Sequence, residues 1–303
     1  MTYSVKVEYS PAYELVMSFY AFVYFKKLKP LSLGKDWYEE TKASLPKKTA
    51  SELEDERWGV LHRMVLLISQ SPGKATVPEF LKWLEHVPDG EVFERLSPWV
   101  ESIPSNIGEI KKKVLFFLNE WHEFYFQHFS KDIVGDLEKK AQIIASLAET
   151  TEPIDLIEQV TNGIRVEPTE SLKQVYLLPQ YHCSPHVIHD YFHGMATYLF
   201  SYTAAQQDKT INLDNISSLA HALSDINRLK ILQLLAVKKR DLTEIHGHLG
   251  IAKSTVHHHL TILSRAGIIR RHYMGNTTIS FYSLRPFFIA SLTNELNRLV
   301  TGG

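Results

Sequence analysis

The chain has 303 residues, 44% hydrophobic and 22% charged, with a net charge of −1 and one cysteine, Cys183. Such values are ordinary for about two globular domains and exclude a disordered tail, a coiled-coil rod and a collagen-like chain. A lone cysteine excludes an internal disulfide framework. No segment approaches the ~18 consecutive apolar residues of a membrane helix, and MTYSVKVEYS lacks the basic-then-apolar start of a secretory signal, so a cytoplasmic protein without a membrane partner is expected.

In chain order, Tyr3, Val5, Val7 and Tyr9 alternate with polar residues and predict a short strand. Ser10-Pro11, with Glu14 close behind, opens an amphipathic helix. Residues 26–49, basic and containing proline, read as a loop. Helical periodicity covers 51–69 and stops at Ser71-Pro72-Gly73, with shorter helices near 76–86 and 90–95. The longest helical region, 107–147, is rich in aromatics and is expected to break at Ser130 or Gly135. A helix over 153–161 ends at Asn162-Gly163. Three runs rich in β-branched or aromatic residues, at 164–166, 172–178 and 197–203, predict a small β element. The polar stretch 206–215 reads as a linker.

Charge is unevenly divided. Residues 1–215 carry 22 Lys and Arg against 30 Asp and Glu, a net of −8, whereas residues 216–286 carry 10 against 3, a net of +7. An acidic body with a basic module suggests a nucleic-acid contact surface. The pattern from Ile216 agrees. ISSLAHAL and SDINRLKILQLLA are helical, the latter with Ile231, Leu234 and Leu235 inward. DLTEIHGHL makes a third helix broken by Gly250, and KSTVHHHLTILSRAG a fourth ended by Gly267. IIRR and HYMGNTTISFYSL form two strands about Gly275-Asn276. This is the winged helix-turn-helix plan, in which the fourth helix enters the major groove and the hairpin rests on phosphate. The expected fold is mainly α with small β elements: a helical N-terminal domain with a short sheet over 1–210, and a winged helix-turn-helix over 211–303.

On the fourth helix Val256, Leu260 and Leu263 fall at i, i+4 and i+7 and make the buried face. Ser254, His257, His258 and Thr261 fall on the other, with Lys253 at its start. Lys253, Ser254, Thr255, His257, His258 and Thr261 are therefore candidate base or phosphate contacts. Arg270, Arg271, His272, Asn276 and Thr277 are candidate wing contacts. His259 borders the buried face and reads as a packed, hydrogen-bonded residue, and Ala252 stands where a serine would cap the helix.

LSDINRLKILQLL followed by LTEIHGHLGIAKSTVHHHLTILSRAGIIRR resembles the DNA-binding domain of ArsR-type (arsenic-repressor-like) transcriptional regulators. The resemblance implies a homodimer that binds a pseudo-palindromic double-stranded DNA operator and represses from it. It also implies a dimer interface built from the first helix of the module, with Leu219 and Leu223, and the terminal helix, with Phe288, Leu292, Leu296 and Leu299. Phe287 lies on the same side of that last helix. The metal sites of the family do not carry over. Arg240-Asp241-Leu242-Thr243 stands where many members have Cys-Val-Cys, and residues 286–300 hold neither His nor Asp.

One cluster of chemically competent ligands remains, His182, Cys183, His186, His189, Asp190 and His193. On a helix the last four would share a face, and on a strand they would split. Pro185 and Gly194 fit irregular or extended structure, and 15 histidines in the chain make chance clustering common. No cofactor or metal is assigned. SPAYELVMSFYAF and VYLLPQYHCSPH are similar to a poorly characterised domain fused before ArsR-type modules in some bacterial regulators, which implies that the N-terminal domain senses an effector. Trp83, Trp99, Phe117, Trp121, Phe124 and Tyr125 could line an apolar pocket there or simply form core. An enzymatic N-terminal domain is the alternative, but phosphate-binding Gly-rich, Gly-x-Ser-x-Gly and His-Glu-x-x-His motifs are absent. A winged helix that binds protein is a third reading, and the basic wing argues against it.

Overall fold

The structure is a computed structural model and describes residues 3–28, 30–55, 61–202, 213–286 and 288–301. The chain divides into two compact units, one of residues 2–150 and 171–204, the other of 151–170 and 205–303.

The first unit is built around α1 (Pro11–Val23). Ser10 accepts a hydrogen bond from Ala12 N–H and Pro11 occupies the first turn, as its pattern predicts. Apolar residues run right round this helix, so Leu15, Val16, Phe19 and Ala21 are all completely buried and α1 is central rather than half-exposed. Around it lie α2 (Gly34–Ser44), α3 (Lys47–Asp55), α4 (Leu61–Gln70), α5 (Val77–His86), α6 (Asp89–Leu96), α7 (Ile107–Phe124) and α8 (Lys131–Ala148). A four-stranded sheet completes the unit. β1 (Ser4–Val7) and β3 (Gln174–Gln180) are parallel, as are β3 and β5 (Met195–Ser201), while β4 (Ile188–Phe192) is antiparallel to β5. Every residue of the central strand β5 is buried, which accounts for its unbroken apolar run.

Several expectations for this unit change. Residues 26–49 are not a loop, because α2 and the start of α3 lie within them. The decisive interaction is tertiary: Tyr38 of α2 stacks on Phe22 and Phe25, with ring centroids 5.0 and 4.5 Å apart. Of the helix expected over 51–69, α3 covers 51–55 and α4 covers 61–69, and 56–60 lie outside the described residues. The long helical region does break at the first of its two expected points: α7 ends at Phe124, a 3₁₀ turn covers Phe126–His128, and Ser130 caps α8, while Gly135 stays inside that helix. Strand β4 falls outside the three predicted β runs, since Ile188-His189-Asp190-Tyr191-Phe192 does not alternate apolar with polar residues.

The second unit contains α9 (Pro153–Val160), β2 (Ile164–Val166), α10 (Leu213–Leu223), α11 (Ile226–Val237), α12 (Leu242–Leu249), α13 (Lys253–Arg265), β6 (Ile269–Tyr273), β7 (Ile279–Leu284) and α14 (Phe288–Thr301). Residues 203–212, most of the expected linker, lie outside the described residues, as does Phe287.

The wing hairpin β6–β7 gains a third strand from far upstream. β2 runs parallel to β6, with Ile164 opposite Arg271 and Val166 opposite Tyr273, so the sheet order is β2-β6-β7. Ile164 and Val166 are fully buried there. The turn that delivers β2 requires glycine: Gly163 has φ 108°, and a Cβ on it would sit 3.0 Å from the carbonyl oxygen of Ile269. Segment 151–170 therefore folds with the second unit, on the far side of the single boundary expected near residue 210.

Candidate nucleic-acid interface

The helix-turn-helix is assembled by its caps. Asp225 accepts from Asn227 N–H (2.9 Å) and Arg228 N–H (3.0 Å) to open α11. The hydrogen bond from Arg228 N–H is foremost in holding the Asp225 carboxyl below its usual range. The buried guanidinium of Arg228 then donates to Ala222 O (2.8 Å) and His221 O (2.7 Å), closing the last turn of α10 and locking the two helices together. Asp241 and Glu244 form a reciprocal capping box on α12. Gly250 ends that helix at φ 67° and sets the turn into α13.

Val256, Leu260 and Leu263 of α13 are buried with Ile231, Leu235 and Ile245. Lys253, Ser254, Thr255, His257 and His258 are exposed, and Thr261 is half-buried with its hydroxyl on His257 O at 2.8 Å. The two faces thus fall where spacing put them. No side chain caps α13 at Ala252, so its first N–H groups remain available to an anion. His259 is packed, as expected, but without the expected hydrogen bond: neither ring nitrogen has a hydrogen-bond partner among the described residues, and Nδ1 stands 3.8 Å from Asp225 Oδ1.

The wing candidates separate by strand face. Asn276 and Thr277 are exposed in the turn, where Asn276 Oδ1 accepts from Thr278 N–H at 2.8 Å. Arg271 is half-buried, its Nε without a hydrogen-bond partner among the described residues. Its neighbours in β6, Arg270 and His272, point the opposite way, as alternation requires. Arg270 Nε donates to Glu158 Oε1 at 2.8 Å. His272 is buried, with Nδ1 on Glu167 Oε1 (2.6 Å) and Nε2 on Ser283 Oγ (2.7 Å). Glu158 and Glu167 lie more than 100 residues upstream, and no local pattern marks them as wing partners.

The His272 contacts carry a pH prediction. Burial pushes its pKa below 6.5, outweighing Glu167, which acts in the opposite sense. Below about pH 6.5 the unfolded chain therefore takes up a proton that the folded chain declines, and stability falls as pH falls toward the folded-state value. Thermal unfolding of the full chain at pH 7.5 and 5.5 is expected to show a lower midpoint at the acid pH, with a smaller loss in His272→Gln. An equal loss in both proteins would remove His272 as the cause.

Of the expected dimer residues, Leu219 is buried in its own unit, and Leu223, Phe288 and Leu292 pack against that core. Leu296 and Leu299 are 42% and 40% exposed, and Ile289 and Val300 of the same helix are more exposed still.

In the first unit the His/Cys cluster is dispersed. His182 is buried against Glu14. Cys183 is buried with its thiol on Met17 O, and burial pushes the thiol pKa up. His186 Nε2 lies 3.0 Å from Pro30 O, and His189 stacks on Tyr198. His193 is exposed beyond them. Among the described residues no group of three or more His, Cys, Asp or Glu is placed to hold a metal ion. Phe117 and Trp121 are core, Trp99, Phe124 and Tyr125 pack against it, and Trp83 borders an open depression with Glu79 and His86. A largely apolar cavity lies elsewhere, between Met64, Leu84, Val92, Leu96, Ile110 and Val114. No helix among the described residues is long and apolar enough to cross a membrane.

Residues 225–271 match the model of the arsR family of bacterial regulatory proteins. Over 90 residues the chain is 33% identical to the transcriptional repressor SdpR of Bacillus subtilis (strain 168), a match spanning 29% of this chain and 96% of that protein. It is also similar to a crystal structure of a possible transcriptional regulatory protein (fragment 1–100) from Mycobacterium bovis, at 26% identity and a TM-score of 0.25, over 32% of this chain and all of that one. With the helix-turn-helix and its hairpin in the second unit, and a repressor of which 96% is matched, the chain belongs to the ArsR family of bacterial regulatory proteins, as a DNA-binding transcriptional regulator.

Proposed function

We propose that the protein binds a pseudo-palindromic operator as a homodimer in the cytoplasm, represses from it, and is controlled by an effector received by its N-terminal unit. The observation that carries this reading is α13, whose apolar face is spent on the core while Lys253, Ser254, Thr255, His257 and His258 stay exposed beside an uncapped N-terminus. A helix so divided fits the major groove, with base edges read by its polar side. Thr261 extends that face, and Asn276, Thr277 and Arg271 supply wing contacts to phosphate. Arg270 and His272 are already engaged by carboxylates and contribute less to the interface than their sequence position suggests. The exposed edge of α14, with Leu296 and Leu299, supports a second copy as its cover, because two-fold operators call for two-fold proteins.

The test is selection of bound fragments from the host's genomic DNA with purified full-length protein at about 150 mM salt, alongside a solution mass measurement. Enrichment of a short inverted repeat and a mass of twice the 34.8 kDa chain are expected. Binding without sequence preference, or a monomer that stays monomeric on the repeat, would overturn the reading. Leu299→Asp should shift the dimer toward monomer.

A further inference from the structure

Glu158 sits in α9 with its side chain only 8% exposed, and three arginines converge on its two oxygens. Arg165 Nη1 lies 2.6 Å from Oε2, Arg270 Nε 2.8 Å from Oε1, and Arg285 Nε 3.5 Å from Oε1. Burial pushes the Glu158 pKa up, but the hydrogen bonds from Arg270 and Arg165 outweigh it and hold the carboxyl below its ordinary 4.5. It is therefore ionised wherever the protein works.

The three arginines are not equivalent. Arg165 has a second carboxylate, Asp155, at 3.1 Å. Arg285 also donates to Asn162 Oδ1 at 2.7 Å, so it serves the turn that delivers β2. Arg270 has Glu158 as its one polar partner among the described residues. It is also the arginine that stands on the wing strand. A carboxylate gripping a guanidinium offers the same charge-assisted contact that a backbone phosphate would.

We infer that Glu158 is an internal stand-in for a DNA phosphate: it occupies Arg270 and so limits the number of phosphates the wing contacts. Glu158 acts here as a positioning residue. Its segment, 151–170, is flanked in sequence on both sides by chain of the other unit, so the carboxylate that restrains the wing is carried by an excursion of the N-terminal unit's chain. Release of Arg270 would tighten DNA binding without any new residue entering the interface.

The experiment measures affinity of the full-length protein for a mixed-sequence duplex of about 30 base pairs across a salt series, since phosphate contacts set the log–log slope at about 0.9 per contact. Glu158→Gln is expected to bind more tightly at low salt, with a slope steeper by about 0.9. Asp155→Asn removes a nearby charge without freeing Arg270, and is expected to keep the wild-type slope. Glu158→Gln/Arg270→Ala should return to that slope. The inference is overturned if Glu158→Gln is no steeper than Asp155→Asn, or if the double variant stays steep, because the effect would then be diffuse charge.

Thermal unfolding establishes that each variant is folded. Should Glu158→Gln not fold, Glu158→Asp carries the test: it keeps the charge but shortens the reach to Arg270, so a steeper slope supports the inference and a wild-type slope overturns it. The inference rests on the wing lying along the DNA backbone. Arg271→Ala lowers the slope only if that is so, and an unchanged slope in Arg271→Ala would bring down the wing reading itself, as distinct from the role of Glu158.

Discussion

Glu14→Ala is expected to destabilise the N-terminal unit by about 3 kcal/mol or more, because it leaves three buried donors without an acceptor at about 1–3 kcal/mol each. Glu14 and His182 are both completely buried. The carboxylate accepts from Tyr181 N–H (3.1 Å) and His182 N–H (3.0 Å) and also meets His182 Nδ1. Behind it the donors line up in one direction. Trp37 Nε1–H can only donate, and does so to the Tyr125 hydroxyl at 2.8 Å; that hydroxyl lies 2.7 Å from His182 Nε2. With the Tyr125 hydroxyl donating to Nε2, the ring proton of His182 sits on Nδ1, facing Glu14.

Alanine at position 14 would leave two backbone donors and one ring donor without acceptors in a site closed to water. Glu14→Gln keeps one acceptor oxygen but turns an amide toward other N–H groups, so its loss should be smaller. Denaturant unfolding of the full chain, followed by tryptophan fluorescence, reads the result. A loss below about 1 kcal/mol for Glu14→Ala would show that the chain of hydrogen bonds is not what holds α1 to the turn after β3.

His257→Ala/His258→Ala is expected to lower affinity for the selected operator by about 100-fold or more, each good base contact being worth about 1–3 kcal/mol of discrimination. Both side chains are exposed on α13, so the substitutions should change stability by no more than about 0.5 kcal/mol. Binding to a random duplex should fall much less, because that term belongs to phosphate contacts. Fluorescence anisotropy on the two duplexes gives the ratio, and an unchanged ratio would take these residues out of base recognition. His259→Ala provides the contrast. That ring is buried, and its loss should appear as lowered stability with specificity kept in the folded fraction.

What could be read from the chain was whatever depends on neighbours within one helix or hairpin. Ser10-Pro11 started α1, Gly250 ended α12, and Val256, Leu260 and Leu263 divided α13 into two faces, since caps and periodicity are local. The same holds for Asn162-Gly163, which stops α9 as its left-handed pair demands. Residues 26–49 misled for the complementary reason. Their lysines and prolines describe a solvated surface, whereas the helix there owes its place to Tyr38 stacking on rings in and just after α1.

The sequence by itself determined the helix-turn-helix, the exposed and buried faces of α13 and the basic character of the module, because each follows from spacing of 3 to 8 residues and from summed charge. Only the tertiary structure decided which of those charges are free. Arg270 and Arg271 are adjacent in the chain, yet strand alternation sends one to Glu158 and leaves the other without a carboxylate among the described residues. Pairing of β2 with β6 joins residues more than 100 positions apart, and no local propensity encodes a register between them. It is set by burial of Ile164 and Val166 and by the close approach that Gly163 permits.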